Sequence, residues 1–199
     1  MKAKVLFAVL VLGMVCLSAN EKLFAQDTNE KKISNVGLKL NLGLGSQDFT
    51  ASQDLEQGGA ASLSLGYGVS QRVSLWLGIS GSAHDRETDR ELESSLASLE
   101  LGVQYKLRPG KKFQPYGKLG LGVFVLNTEK TQVTMSGGGV SWGVGAEYRL
   151  VRFLSVGAEF YWKDFDYSRQ RVGDHGEFYK LAQPVQGNSR GFMLNFTLQ

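Results

Sequence analysis

Polarity alternates with a period of two along most of this chain, and residues 140–162 carry the pattern most cleanly. Val140, Trp142, Val144, Ala146, Tyr148 and Leu150 share one parity, while Ser141, Gly143, Gly145, Glu147 and Arg149 share the other. After Val151, Arg152 and Phe153, the return run places Leu154, Val156, Ala158, Phe160 and Trp162 on one parity and Ser155, Gly157, Glu159 and Tyr161 on the other. Successive side chains of a strand point to opposite faces, so this is a hairpin with one apolar face and one small or polar face. Opposed residues in a hairpin share an index sum. Leu150 with Leu154, Tyr148 with Val156 and Trp142 with Trp162 all give 304, and a slip of one residue would put the two apolar faces on opposite sides.

The same alternation predicts six more strands of roughly ten residues. Val36, Leu38, Leu40, Leu42 and Leu44 begin it, opposite Gly37, Lys39, Asn41, Gly43 and Gly45. Ala61, Leu63, Leu65 and Tyr67 pair across Ser70, Gln71 and Arg72 with Val73, Leu75, Leu77 and Ile79, with index sum 142; Ser74, Trp76, Gly78 and Ser80 take the other face. Ala97, Leu99, Leu101, Val103, Tyr105 and Leu107 follow, then the turn Arg108-Pro109-Gly110-Lys111-Lys112. Gly117, Leu119, Leu121, Val123 and Val125 come next, opposite Tyr116, Lys118, Gly120, Gly122 and Phe124, and Pro115 sits near the strand start where a missing donor is tolerated. Phe192, Leu194, Phe196 and Leu198 close the series. Eight strands result. Three short turns alternate with long polar connections at 46–58, 82–93, 127–138 and 164–187, the last of which reads as the longest irregular stretch.

Composition narrows the class. The chain has 199 residues, a formal net charge of +3, 25 glycines and 3 prolines. Balanced charge gives no support to nucleic acid as a partner, and the length suits one domain. Residues 1–25 read as a signal peptide, removed on export: Lys2 and Lys4 precede the apolar run 5–17, and Leu23-Phe24-Ala25 precedes a cleavage point before Gln26. Residues 26–34 form a short periplasmic tail and 35–199 the folded domain. The one cysteine, Cys16, lies in the removed segment, so the mature chain holds no disulfide. Val15 is not the small residue that a lipid-modified Cys16 would need before it.

An apolar face can meet a protein core or lipid, and three features favour lipid. The opposite face is rich in glycine and serine rather than the lysine and glutamate of a solvated strand surface, as a narrow eight-stranded lumen requires. Aromatic residues stand at the ends of the apolar face: Tyr67, Tyr105 and Tyr148 just before short turns, and Trp142, Trp162 and Phe192 toward the other edge, as at membrane interfaces. Short turns alternate with long connections, as in outer-membrane barrels, and closure removes the unpaired edges that lipid forbids. The expectation is an all-β fold, an eight-stranded antiparallel up-and-down transmembrane β-barrel.

On this signal peptide, these eight alternating strands and a terminal strand ending Phe192-Met193-Leu194-Asn195-Phe196-Thr197-Leu198-Gln199, the chain resembles the small outer-membrane β-barrel family that includes the transmembrane domain of OmpA and OmpX. The resemblance covers about residues 35–199. It implies a Gram-negative outer membrane with both termini periplasmic, contact with membrane lipid and lipopolysaccharide, and recognition of the last strand by the barrel-assembly machinery. The family's last strand usually closes on an aromatic residue; here Gln199 ends the chain. A monomer with a structural role, adhesive or ligand-binding through long external loops, is the expected function, without enzymatic activity or cofactor. The alternatives are a narrow ion or small-solute channel and an exported soluble lipocalin-like barrel binding an apolar ligand.

Candidate chemistry lies first in the lumen. Lys39, Glu100, Lys118, Glu147, Arg149 and Glu159 are its expected ion network, with Lys106 and Lys163 on the same face. Placing Leu107 opposite Phe113, with index sum 220, makes Glu100 and Lys118 diagonal neighbours, and Glu147 and Glu159 would draw their cations from Lys118 and Arg149. The two histidines, His84 and His175, fall in long connections. His84 with Asp85, Glu87, Asp89 and Glu91 is a mixed-sign loop (Arg86 and Arg90 interleave) rather than a metal site. A serine–histidine hydrolase would need a strand histidine on the lipid wall, and neither qualifies. The last connection holds Arg169, Arg171, Lys180 and Arg190 with Phe165, Tyr167, Phe178 and Tyr179, a basic and aromatic surface suited to lipopolysaccharide phosphates or another external ligand.

Overall fold

The computed structural model describes residues 34–49, 57–84, 94–128, 132–173 and 176–199. The expected signal peptide and most of the tail, His175, and the acidic residues after His84 lie outside these.

Eight strands close into one antiparallel ring in chain order. They are β1 (Gly37–Phe49), β2 (Gly58–Gly68), β3 (Val73–His84), β4 (Ser94–Lys106), β5 (Phe113–Thr128), β6 (Val133–Val151), β7 (Leu154–Val172) and β8 (Tyr179–Leu198). Closure comes from β1 pairing β8, with Leu42 opposite Phe196 and Leu44 opposite Leu194. Every strand thus has two neighbours, and no row of backbone donors faces lipid.

Register follows the alternation. Tyr67 faces Leu75, and Tyr148 faces Val156 and Trp142 faces Trp162. Two turns depart from expectation. Lys106 lies opposite Tyr116 rather than Leu107 opposite Phe113, which makes the index sum 222. The turn is wider because Phe113 pairs with β6, opposite Tyr148, and Gly110 takes a positive φ of 77° inside the turn. A shift of two leaves each side chain on its face. At the β6–β7 hairpin a bulge between Arg149 and Val151 sets Val151, not Leu150, against Leu154.

The apolar parity faces outward. Leu101, Leu119 and Leu121 are 61%, 63% and 66% exposed, while Lys39, Glu100, Lys106, Glu147 and Lys163 are buried inside. From Leu154 to Trp162 the outward residues of β7 span about 26 Å along the strand, or about 20 Å across a membrane at a tilt of ~40°.

The strands do not stop there, and 164–187 is not an irregular stretch. Asp164 pairs with Asn188 and Asp166 with Gln186, so β7 and β8 continue as a hairpin. Polarity inverts past Trp162. Asp164 and Asp166 now point outward and are exposed, whereas Phe165 and Tyr167 point inward and are 4% and 3% exposed. The same inversion puts Phe49, Leu96 and Phe124 inside their strands at this end. Water replaces lipid outside, so the outer face becomes polar and the inner face takes up the apolar residues. From Trp162 to Val172 the strand runs about 33 Å, roughly 25 Å along the barrel axis at the same tilt.

Candidate functional site: a filled lumen and its capped end

The lumen is built in layers from inward positions of all eight strands. At the short-turn end Lys106 Nζ stands 2.6 Å from Glu147 Oε2, with side chains 0% and 5% exposed. Gln114 Oε1 accepts from the same ammonium at 2.9 Å, and Gln104 donates to Glu147 Oε1 at 3.1 Å. Lys39 Nζ donates to Asn35 Oδ1 at 2.6 Å and to Ser74 Oγ at 2.8 Å. Arg149 donates from Nη1 to the Ser34 carbonyl at 3.2 Å.

The middle layer is organised by Trp76. Gly102 and Gly120 make room for its indole: a Cβ on either would come within 2.8 and 2.9 Å of the ring. Lys118 sits 5.1 Å from the ring centroid and 3.0 Å from Glu159 Oε2. Tyr116 donates its hydroxyl to Glu159 Oε2 at 2.8 Å. Above this, Lys163 pairs with Glu100 at 2.7 Å and donates to Ser80 at 2.7 Å, and Ser98 donates to Glu100 at 2.6 Å.

Cavities remain between these layers among the described residues, two of them lined by charged side chains. One of about 70 Å³ touches Glu100, Lys118, Glu159 and Lys163. The other, about 30 Å³, touches Lys39, Gln104, Tyr116 and Glu147. Asn41, Ser64, Trp76 and Lys118 line both. Both exceed the ~10–15 Å³ that a polar cavity needs to hold a water.

The loop end is closed by an apolar cluster of Phe49, Leu96, Phe124, Phe165 and Tyr167, with Leu126 and Met135 packed against it. Phe124 and Phe165 stack with centroids 4.7 Å apart, and Tyr167 meets Phe165 edge-on at 5.2 Å. His84 joins this layer. It ends β3, is buried, meets Phe49 edge-on at 4.7 Å and shares a 2.8 Å hydrogen bond with Ser82 Oγ.

The expected network residues are therefore brought together, Glu159 with Lys118 as expected and the others with different partners. Glu100 pairs with Lys163, not Lys118, because β7 faces β4 across the narrow lumen and Lys163 reaches over it. Glu147 takes Lys106 and Glu159 takes Lys118, while Arg149 forms no ion pair among the described residues. His84 lies in a strand and not in a loop. Among the described residues no group of His, Cys, Asp or Glu is placed to hold a metal ion. Sequence reasoning missed the apolar cap, although Phe165 and Tyr167 keep the inward parity of Tyr161 and Lys163.

On the outside, Tyr67, Tyr105 and Tyr148 project outward beside the short turns, and Arg72 Nη1 donates to the Tyr105 hydroxyl at 3.2 Å. Trp142 and Trp162 stack at 4.2 Å, and Phe192 tilts against Phe160 at 5.1 Å. Arg169 and Lys180 face each other directly across the β7–β8 hairpin. Arg171 lies 5.1 Å from the Phe178 ring. Arg190 sits lower, opposite Trp162 and 3.4 Å from Asp48. Phe165 and Tyr167 are absent from this surface because they point inward.

The geometry has close parallels among solved structures. The outer membrane protein OprG from Pseudomonas aeruginosa superposes with a TM-score of 0.58 at 12% identity, over 85% of this chain and 98% of that one. Neisserial surface protein A (NspA) gives 0.54 at 10% identity, over 81% and 94%. No curated protein matches by sequence. Residues 7–180 match the model of the outer membrane protein beta-barrel domain. A closed eight-stranded ring, an outward apolar belt and that match together place the chain in the outer membrane protein β-barrel domain family.

Proposed function

We propose that this protein is a sealed, non-enzymatic barrel of the Gram-negative outer membrane whose work is done by the hairpins at its loop end. In this reading both termini are periplasmic and the β6–β8 extension stands outside the cell. One observation carries it: the lumen is filled by paired charges and closed by the Phe124–Phe165–Tyr167 cap, while β7 continues past the membrane band to Val172 as ordered strand. A filled lumen leaves no path for a solute, whereas a rigid hairpin offers a surface at low entropic cost.

The surface it offers is basic. Arg169 and Lys180 are exposed on the protruding sheet, Arg171 is half-buried beside the Phe178 ring, and none pairs with a carboxylate among the described residues. Like charges directly across a ladder repel, and a phosphate on Arg169 and Lys180 relieves that repulsion with charge-assisted hydrogen bonds. Lipopolysaccharide phosphates are the ligand chemistry we assign. The last strand, β8, serves as the recognition element for barrel assembly, and Tyr67, Tyr105 and Tyr148 mark the periplasmic interface.

The test is the amount of lipopolysaccharide that co-purifies with the folded protein. Arg169→Gln with Lys180→Gln should lower it severalfold and leave the heat-dependent gel shift of the folded barrel intact. Equal lipopolysaccharide on both proteins would overturn the assignment.

A further inference from the structure

Pairing the lumen charges one to one leaves a remainder at the short-turn end. The three inward carboxylates Glu147, Glu159 and Glu100 each hold one lysine. Lys39 and Arg149 are left over, and each is 5% exposed. Lys39 bonds only neutral oxygens, those of Asn35 and Ser74. Arg149 bonds the Ser34 carbonyl through Nη1, while its Nε and Nη2 are buried and have no acceptor among the described residues. Both cations are tied to one short segment, because Ser34 and Asn35 are consecutive residues. Asn35 is itself fixed by Gln71, whose Oε1 accepts from its backbone N–H at 3.1 Å and whose carbonyl accepts from its side-chain amide at 3.0 Å.

Nε and Nη2 form the edge of a guanidinium that matches two oxygens of a carboxylate or phosphate. Arginine does not shed its proton on burial, so the charge stays and requires an opposite one. A water molecule would supply no countercharge. Glu147 is already committed, with Lys106 on one oxygen and Gln104 on the other.

We propose that the short-turn mouth of the lumen is a binding site for one small oxyanion of the phosphate or carboxylate class, gripped at two points by Arg149 with Lys39 as the second cation. It lies at the opposite end of the barrel from the lipopolysaccharide surface and is independent of it.

The full chain, refolded in zwitterionic micelles at pH 7, is titrated calorimetrically with sodium phosphate, sodium acetate and sodium chloride at matched ionic strength. Saturable one-to-one binding of phosphate or acetate, about tenfold or more tighter than chloride, is expected from one two-point contact. Arg149→Gln should abolish it, and Lys39→Met should weaken it. Lys111→Gln, on the exterior of a neighbouring turn, should leave it unchanged. Arg149→Lys keeps the charge and removes the fork, so it should bind weakly and lose the preference over chloride; it carries the test if Arg149→Gln does not fold. The proposal is overturned if neither oxyanion saturates the folded wild type, if chloride binds as tightly as phosphate, or if the Arg149 variants bind like the wild type.

Discussion

Removing one partner of the Lys106–Glu147 pair tests the lumen most sharply, because the two partners are not equivalent. Their side chains are 0% and 5% exposed and their charged atoms 2.6 Å apart. Breaking a buried pair typically costs about 3–5 kcal/mol, since the survivor is left charged and desolvated. Here the surroundings decide which loss is worse. Lys39 and Arg149 lie at the same end with no carboxylate of their own among the described residues. Glu147→Gln keeps the shape and leaves three cations facing no anion. Lys106→Met leaves Glu147 beside two cations that can move toward it. We expect Glu147→Gln to cost the full ~3–5 kcal/mol and Lys106→Met roughly half of that, with the double variant recovering to within about 1–2 kcal/mol of the wild type. Urea unfolding in micelles, followed by tryptophan fluorescence and by the gel shift of the folded barrel, reads all four proteins. The reasoning is refuted if Lys106→Met is the more damaging single change, or if the two losses simply add.

Other consequences follow from the same geometry. Leu121 is 66% exposed on the lipid face, so Leu121→Arg should destabilise by about 2–4 kcal/mol near the midplane; urea unfolding in liposomes measures it, and indifference would contradict the inside-out assignment. Phe165→Ala empties part of the apolar cap and should cost about 3–5 kcal/mol, accompanied by faster proteolysis within β7 and β8 but not within β2 and β3. Gly120→Ala would drive a Cβ against the Trp76 ring and the Ser141 hydroxyl; overpacking of this kind costs about 1–3 kcal/mol, and pairing it with Trp76→Phe should restore part of the loss in the same unfolding assay.

Much of this fold could be read from period-two alternation alone. Both faces of Val140 through Trp162, the registers 142 and 304, and the inward parity of Trp76, Tyr116 and Lys118 all follow from it. The alternation failed where its physical basis changed. Past Trp162 the outside is water instead of lipid, so Asp164, Phe165, Asp166 and Tyr167 keep the strand period with inverted polarity and resemble a loop. Ion-pair partners were legible only in part. Lys118 with Glu159 links neighbouring positions on β5 and β7 across the intervening β6, whereas Lys163 with Glu100 and Lys106 with Glu147 depend on how far long side chains reach across a closed lumen, which strand register does not encode. Nor does the sequence show that Arg149 is held by the backbone of Ser34 instead of a carboxylate.

The central claim is that the lumen is sealed. Planar-bilayer recording of the refolded, full-length protein tests it directly. A closed barrel gives a flat baseline without unitary steps, in the wild type and in the Lys118→Gln and Glu159→Gln variants. Discrete, reproducible openings from the wild type would contradict it and make the 70 Å³ cavity part of a conducting path.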